Sequence, residues 1–301
     1  MTDPRLPTGR LGATMRADVT ARDRTKPLMA TVWPYIAYAA LIGLAFLTLI
    51  PIIWMVLTSF KSSAEVSASP PTWLPATWHP GNYRDAWNAA PFGRYLANTV
   101  IVAGSVMILE TITSALAAYS FARLRFPGRD ILFLAYLGTL MIPRQVTLIP
   151  QFILMRELGW IDTYQGLIIP QAFSAFGTFL LRQYFLGIPR ELEDAARIDG
   201  ASRWEIFRRI ILPLSGPALA TLAVFIFLFQ WNNLLWPLVM SNSEGTRPVA
   251  VGLRAFQGQY ATDWNLLMAA AGLATLPVVA MYLVAQRWFV RGITLSGFGG
   301  R

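Results

Sequence analysis

Six apolar stretches of about twenty residues or more decide what this chain can fold into. A helix crossing about 30 Å of hydrocarbon needs roughly 20 apolar residues. Runs of that kind lie at 35–57, 95–121, 131–150, 163–185, 218–240 and 266–288. They predict an all-α, polytopic membrane protein with six transmembrane helices. Only 14% of the 301 residues are charged, against roughly 25% in a soluble domain. Eleven Trp and ten Tyr suit aromatic belts at the two interfaces. The first run is too long for the apolar core of a signal peptide, and no A-x-A-like site follows it, so it reads as a retained span.

Composition also excludes chemistry. There is no cysteine, and the only histidine is His79, in a loop rich in Pro and Trp. Disulfides, thiol chemistry and His- or Cys-based metal sites are therefore excluded. No cluster of His, Cys or carboxylates lies in or near the spans, so a membrane-bound enzyme has no catalytic residues to draw on. The net charge of +9 raises nucleic acid as a partner. In a membrane protein its commoner cause is basic loops kept in the cytoplasm.

The distribution of charge supports that cause. Eighteen of the 25 Lys and Arg fall in the N-terminal tail, the 122–130 turn, the loop after the fourth span together with its edge at Arg182, and the C-terminal end. That excess predicts both termini in the cytoplasm of a prokaryotic plasma (inner) membrane. Residues 1–30 then form a mobile cytoplasmic tail, 31–290 the transmembrane domain and 291–301 a second cytoplasmic tail. The Pro- and Trp-rich segment 61–94 reads as an extended loop on the outer interface.

The loop at 190–217 is charged and helix-prone, although apolar spans flank it. Leu192, Ala195, Ala196 and Asp199 share one helical face, and Gly200 stands where a left-handed residue ends a helix. Ser202 and Glu205 fit a capping box that opens a second helix. Ile206, Phe207, Ile210 and Ile211 form its apolar stripe, and Pro213 and Pro217 end it. Three roles fit a helix–turn–helix in this place: an amphipathic loop that only sets topology, a DNA-binding element, or a docking surface for a cytoplasmic partner. Spans on both sides pin it to the membrane and argue against DNA. The small residues Ala195, Ala196, Gly200 and Ala201 permit close approach by another protein.

Here the sequence resembles a known family. The stretch Asp194-Ala195-Ala196-Arg197-Ile198-Asp199-Gly200-Ala201, followed by Ile210-Ile211-Leu212-Pro213, resembles the EAA loop of ABC-importer permeases. Phe207 and Pro217 also occupy family positions. Asp194 stands where the family has Glu, with Glu193 just before it. Phe126-Pro127-Gly128-Arg129, Trp231-Asn232-Asn233 with Trp236-Pro237, and Gly292-Ile293-Thr294 resemble further family motifs. The likeness runs from about residue 30 to the C-terminus and is greatest to carbohydrate-uptake permeases of the maltose type.

The resemblance implies that the EAA loop is a coupling helix seated in a cleft of a separate ATPase. The ATPase contacts would come from Glu193, Asp194, Ala195, Ala196, Asp199, Gly200, Ala201, Phe207, Leu212 and Pro213. It implies as partners a second homologous permease, two ATP-binding subunits and an external solute-binding protein, within membrane lipid and without nucleic acid. The chain's two lysines, Lys26 and Lys61, lie outside any G-x-x-x-x-G-K-[ST] loop. No cofactor is therefore expected on this chain, and ATP and Mg belong to the partner ATPase.

A solute path requires polar groups within the spans. Gln230, Trp231, Asn232, Asn233 and Trp236 combine amides with indole faces suited to sugars. Interhelical hydrogen bonding is the competing role for the amides. Glu110 is an intramembrane carboxylate, read as a structural pairing or a cavity group. Arg144, beside Pro143, reads as an interfacial arginine near the outer end of the third span, with attraction of anions as the competing role. Outer loop 241–263 is long enough to reach a binding protein. The implied function is the permease subunit of an ATP-driven, binding-protein-dependent importer of a sugar or sugar-like solute, working by alternating access. The alternative is an autonomous secondary transporter or channel, in which an EAA loop has no role.

Overall fold

The computed structural model describes residues 28–258 and 262–296. The first helix, α1 (Leu28–Ser59), carries Pro34 and Pro51 within it. Residues up to Met55 form one unit, and Val56 onward form a second, larger one.

In the larger unit, segment 61–94 departs from the expected extended loop. Ser62 caps a single turn, Ser63–Val66, and helix α2 (Gly81–Asn88) follows. Asn82 fastens α2 to the chain before it: its amide donates to the carbonyls of Ser59 and Lys61, both at 2.8 Å. Trp73, Trp78 and Trp87 remain exposed, as interfacial residues would be.

Helix α3 (Phe92–Arg123) is the spine of the unit, 32 residues long. It packs along α6 (Ala175–Leu186) and α9 (Gly216–Trp231). Small residues permit the close approach, as is usual between membrane helices. A Cβ added to Gly177 of α6 would stand 2.5 Å from Ser114 Oγ of α3. Around this seam lies one core cluster that includes Val106, Leu181, Phe185, Ile206, Ile211 and Leu222. A second cluster gathers Phe92, Tyr95, Trp231, Val249, Phe256 and Ala270. It joins the start of α3 to α2 and to the last helix, α11 (Trp264–Ser296). That helix runs past residue 290, so the expected tail boundary falls inside a helix.

The six expected runs are all helical for most of their length, but three are interrupted. The third run splits into α4 (Arg129–Gly138), a 3-10 turn and α5 (Arg144–Glu157), with a bend of 98°. Pro143 lacks an N–H and biases Ile142 toward extended backbone, here ψ 115°. The fourth run divides into Tyr164–Ile168, a 3-10 turn containing Pro170, and α6, which Ser174 caps. The fifth run stops at Trp231 and resumes as α10 (Leu235–Met240). Asn232 ends α9 by donating its side-chain amide to the Leu228 carbonyl, an alternative to backbone pairing. Among the described residues, three helices suffice to cross a membrane unaided, and five do if each bent pair is one span. One bent pair is formed by α9 and the helix before it, at 77°.

Candidate functional site

The 190–217 loop folds as its local signals require. Helix α7 (Glu191–Ile198) opens on three acids, which favour a helix N-terminus, and closes on Arg197. Gly200 follows with φ +82°, a conformation that a side chain would strain. Ser202 then forms a complete capping box with Glu205, opening α8 (Arg203–Ile206). The next five residues, Phe207–Ile211, form a π-helical turn that sequence pattern did not signal. One more α-turn, Leu212–Leu214, leads to the bend at Ser215.

Packing separates the loop residues into two sets. Ile206, Phe207 and Ile211 are buried, and Leu212 packs against the same cluster. Phe207 sits between Tyr119 of α3, at 4.9 Å, and Trp204, at 5.5 Å. Ala196 and Ala201 pack inward as well. Asp194, Ala195, Asp199, Gly200 and Pro213 are exposed, and Ile198 at the turn is 87% exposed.

Glu193 belongs to the inward set, which sequence alone did not reveal. It is 3% exposed, and its Oε1 lies 2.7 Å from Arg123 Nε at the end of α3. The Nε–H is not directed along that line, so the contact is an ion pair rather than a linear hydrogen bond. Arg123 Nη2 donates to the carbonyls of Phe185 and Ile188, each at 2.6 Å. One guanidinium thus fastens α3, the end of α6 and α7 together. Tyr119 adds a second tie from α3, donating its hydroxyl to the Arg203 carbonyl at 3.1 Å. Among the described residues Asp194 pairs with Arg197, 3.2 Å away at the surface. A basic cleft of about 670 Å³, bordered by Arg125, Arg190 and Arg203, opens beside them.

At the interrupted spans lies a cavity of about 900 Å³, within the range of small-ligand sites. Irregular backbone at membrane depth is tolerated where it lines a cavity, and both the Pro143 bend and the Asn232 break do so. Asn232, Asn233 and Trp236 line it together with Gln145, Gln151 and Gln171. Trp236 is largely buried, its ring N–H donating to the Gly166 carbonyl at 3.0 Å. Gln230 and Trp231 lie outside the lining. Gln230 accepts from Asn233 at 3.1 Å, and Trp231 donates to the Ala274 carbonyl at 3.2 Å inside the second core cluster. Their place in the helical turn directs them inward.

Two charges complete the picture. Arg144, read from sequence as interfacial, lines the cavity: its guanidinium is 4.6 Å from the Phe229 ring centre and 3.5 Å from Gln171. Only the bend beneath it could have signalled this. Glu110 on α3 is buried and lies outside the lining. Across the unit, Asp162 Oδ1 accepts from the backbone N–H groups of Asn242 and Ser243 and from the Thr246 hydroxyl. Asn98 donates to the carbonyls of Gly245 and Arg247. The loop after α10 is therefore pinned along its first turns. Among the described residues no group of His, Cys or carboxylates is arranged to hold a metal.

Comparison with known proteins draws these features together. Residues 110–295 match the family of binding-protein-dependent transport system inner membrane components. The probable ABC transporter permease protein YurM of Bacillus subtilis is 35% identical, over 90% of this chain and 88% of its own. The sn-glycerol-3-phosphate transport system permease protein UgpE of Pectobacterium atrosepticum is 39% identical, over 77% of this chain and 85% of its own. A solved bacterial ABC transporter involved in the import of the acidic polysaccharide alginate superposes with a TM-score of 0.76. It is 26% identical, over 87% of this chain and 98% of that one. The interrupted spans, the loop fastened to their ends and these likenesses make the chain a member of the binding-protein-dependent transport system inner membrane component family, a multi-pass permease subunit of an ABC importer.

Proposed function

We propose that this permease imports a sugar or sugar-like solute, driven by ATP hydrolysed on separate subunits that dock on the 190–217 loop. The carrying observation is the two-sided loop: Asp194, Ala195, Gly200 and the bare Ile198 outside, the Arg123–Glu193 pair inside. A partner pressing on the outer side moves α7, and the buried pair transmits that displacement to α3 and α6. The π-turn and the bend at Ser215 connect the same loop to α9, whose far end lines the cavity. Rigid-body alternating access follows from such an arrangement.

On this reading Asp194, and not Glu193, meets the ATPase, because Glu193 already has an internal partner. Asp199, Ala196, Ala201, Phe207, Leu212 and Pro213 shape the loop from behind or at its rim. ATP and Mg reside on the partner, and a second permease and an external binding protein complete the assembly. The excess of Lys and Arg sets both termini on the ATPase side. Relatives named for glycerol phosphate, arabino-oligosaccharides and diacetylchitobiose support a hydroxyl-rich solute.

Gly200→Asp tests the docking role. The variant places a charge at the turn of the exposed face, at a left-handed position. The expected outcome is an assembled complex in proteoliposomes whose ATP-driven uptake is lost. Uptake at the wild-type rate would refute docking at this loop. Uptake by this chain alone, without ATP, would favour an autonomous transporter.

A further inference from the structure

The 900 Å³ cavity has sixteen lining residues, and Arg144 is the only charged one among them. The other polar groups are neutral amides and one hydroxyl: Gln145, Gln151, Gln171, Asn232, Asn233 and Thr147. Amides and aromatic faces suffice to hold an uncharged sugar, so the cation calls for a separate reason. An arginine within membrane-spanning segments is costly and seldom kept without a partner. Among the described residues, no carboxylate lies within ion-pair distance of Arg144. What holds it is the Phe229 ring beneath and a long contact to Gln171, which together leave most of its five N–H donors unoccupied. Arg144 is also the first residue of α5, so the unpaired N–H groups of that helix start add positive potential at the same point. Glu110 of α3 attracts Arg144 from a distance, but it is buried and does not line the cavity.

We infer that the cavity takes an anionic, hydroxyl-rich solute whose phosphate or carboxylate is held by Arg144, with the surrounding amides on its hydroxyls. This rests on the permease reading above and specifies the solute class of that site. The planar guanidinium suits either oxyanion in a two-pronged contact. An acidic residue of the second permease could satisfy Arg144 instead, and the experiment separates the two.

The assembled complex with its binding protein is reconstituted in ATP-loaded proteoliposomes. Uptake is measured for glycerol 3-phosphate, a uronate disaccharide, glycerol and cellobiose. The expected result is ATP-driven uptake of an anionic member, the phosphate and uronate arms identifying which oxyanion is accepted. Arg144→Gln is expected to raise KM for that member about tenfold to a hundredfold, the scale of a lost charge-assisted contact. Arg144→Lys recovers part of the loss. Elution of the assembled complex stays at the wild-type position. Uptake confined to the uncharged members, or unchanged KM in Arg144→Gln, overturns the inference and leaves the permease reading intact. Dissociation of the Arg144→Gln complex assigns the guanidinium to the subunit contact and overturns it likewise. If no member is taken up with ATP, both readings fail.

Discussion

Arg123→Ala separates the buried tie behind the coupling loop from the docking surface in front of it. The guanidinium and the Glu193 carboxylate are 2% and 4% exposed, so neither is screened by water. Truncation leaves the buried Glu193 carboxylate with only the long 3.9 Å contact to Arg197, and the carbonyls of Phe185 and Ile188 without their donor. Breaking a buried pair from one side costs about 3–5 kcal/mol. The loss falls on the seating of α7 against α3 and α6, so α7 should open about two to nearly four orders of magnitude more often. Hydrogen–deuterium exchange of amides 191–198 in the assembled complex reads that change, and ATP hydrolysed per solute transported reads its consequence. Both should worsen while ATPase docking remains. Arg123→Lys keeps the charge but cannot reach the carboxylate and both carbonyls in one fork, so it should fall between. The double variant Arg123→Met with Glu193→Met removes both charges together and should regain most of the protection. Wild-type exchange in Arg123→Ala, or a double variant as open as the single one, would refute the argument.

Two further perturbations test neighbouring links. Gly177→Ala places a Cβ 2.5 Å from Ser114 Oγ and 3.3 Å from Leu222, in the seam between α3 and α6. Overpacking of that kind costs about 1–3 kcal/mol, read as a lower melting temperature in detergent. Ser114→Ala in the same chain should return part of it. The capping box gives a pH dependence. Glu205 is held below the usual carboxylate range, first by the Ser202 backbone N–H, then by the Ser202 hydroxyl, with Arg209 adding attraction. A depressed folded value means that its contribution is complete above the unfolded value, about 4.3. It is lost as pH falls through the lower folded value. Amides 203–206 should lose protection in acid, and Ser202→Ala should weaken that dependence without abolishing it, because the backbone N–H at 202 remains, while costing about 1 kcal/mol of helix stability.

The interrupted spans show how far an apolar pattern can be read. Runs 131–150, 163–185 and 218–240 carry enough hydrophobicity for a membrane, and their helical content follows. Pro143, Pro170 and the Asn232-Asn233 pair mark the interruptions, yet a proline alone does not announce a 98° bend: Pro51 and Pro277 lie within continuous helices. The outcome depends on whether neighbouring groups and a cavity satisfy the freed backbone.

By itself the sequence determined what is decided within about one helical turn. Gly200 ends α7 because a side chain resists φ +82°, and Ser202 starts α8 because Glu205 stands three residues on. The membrane class and the family follow from composition and from the 194–213 motif, both of which survive without knowledge of helix neighbours. Only the tertiary structure decided that Glu193 looks inward, because its partner lies 70 residues earlier on another helix. It likewise turned Gln230 and Trp231 into the core and Arg144 into the cavity. A side chain's role at such positions depends on which helix faces it, and that is settled by the close packing of α3, α6 and α9 through their small residues rather than by the side chain's own type.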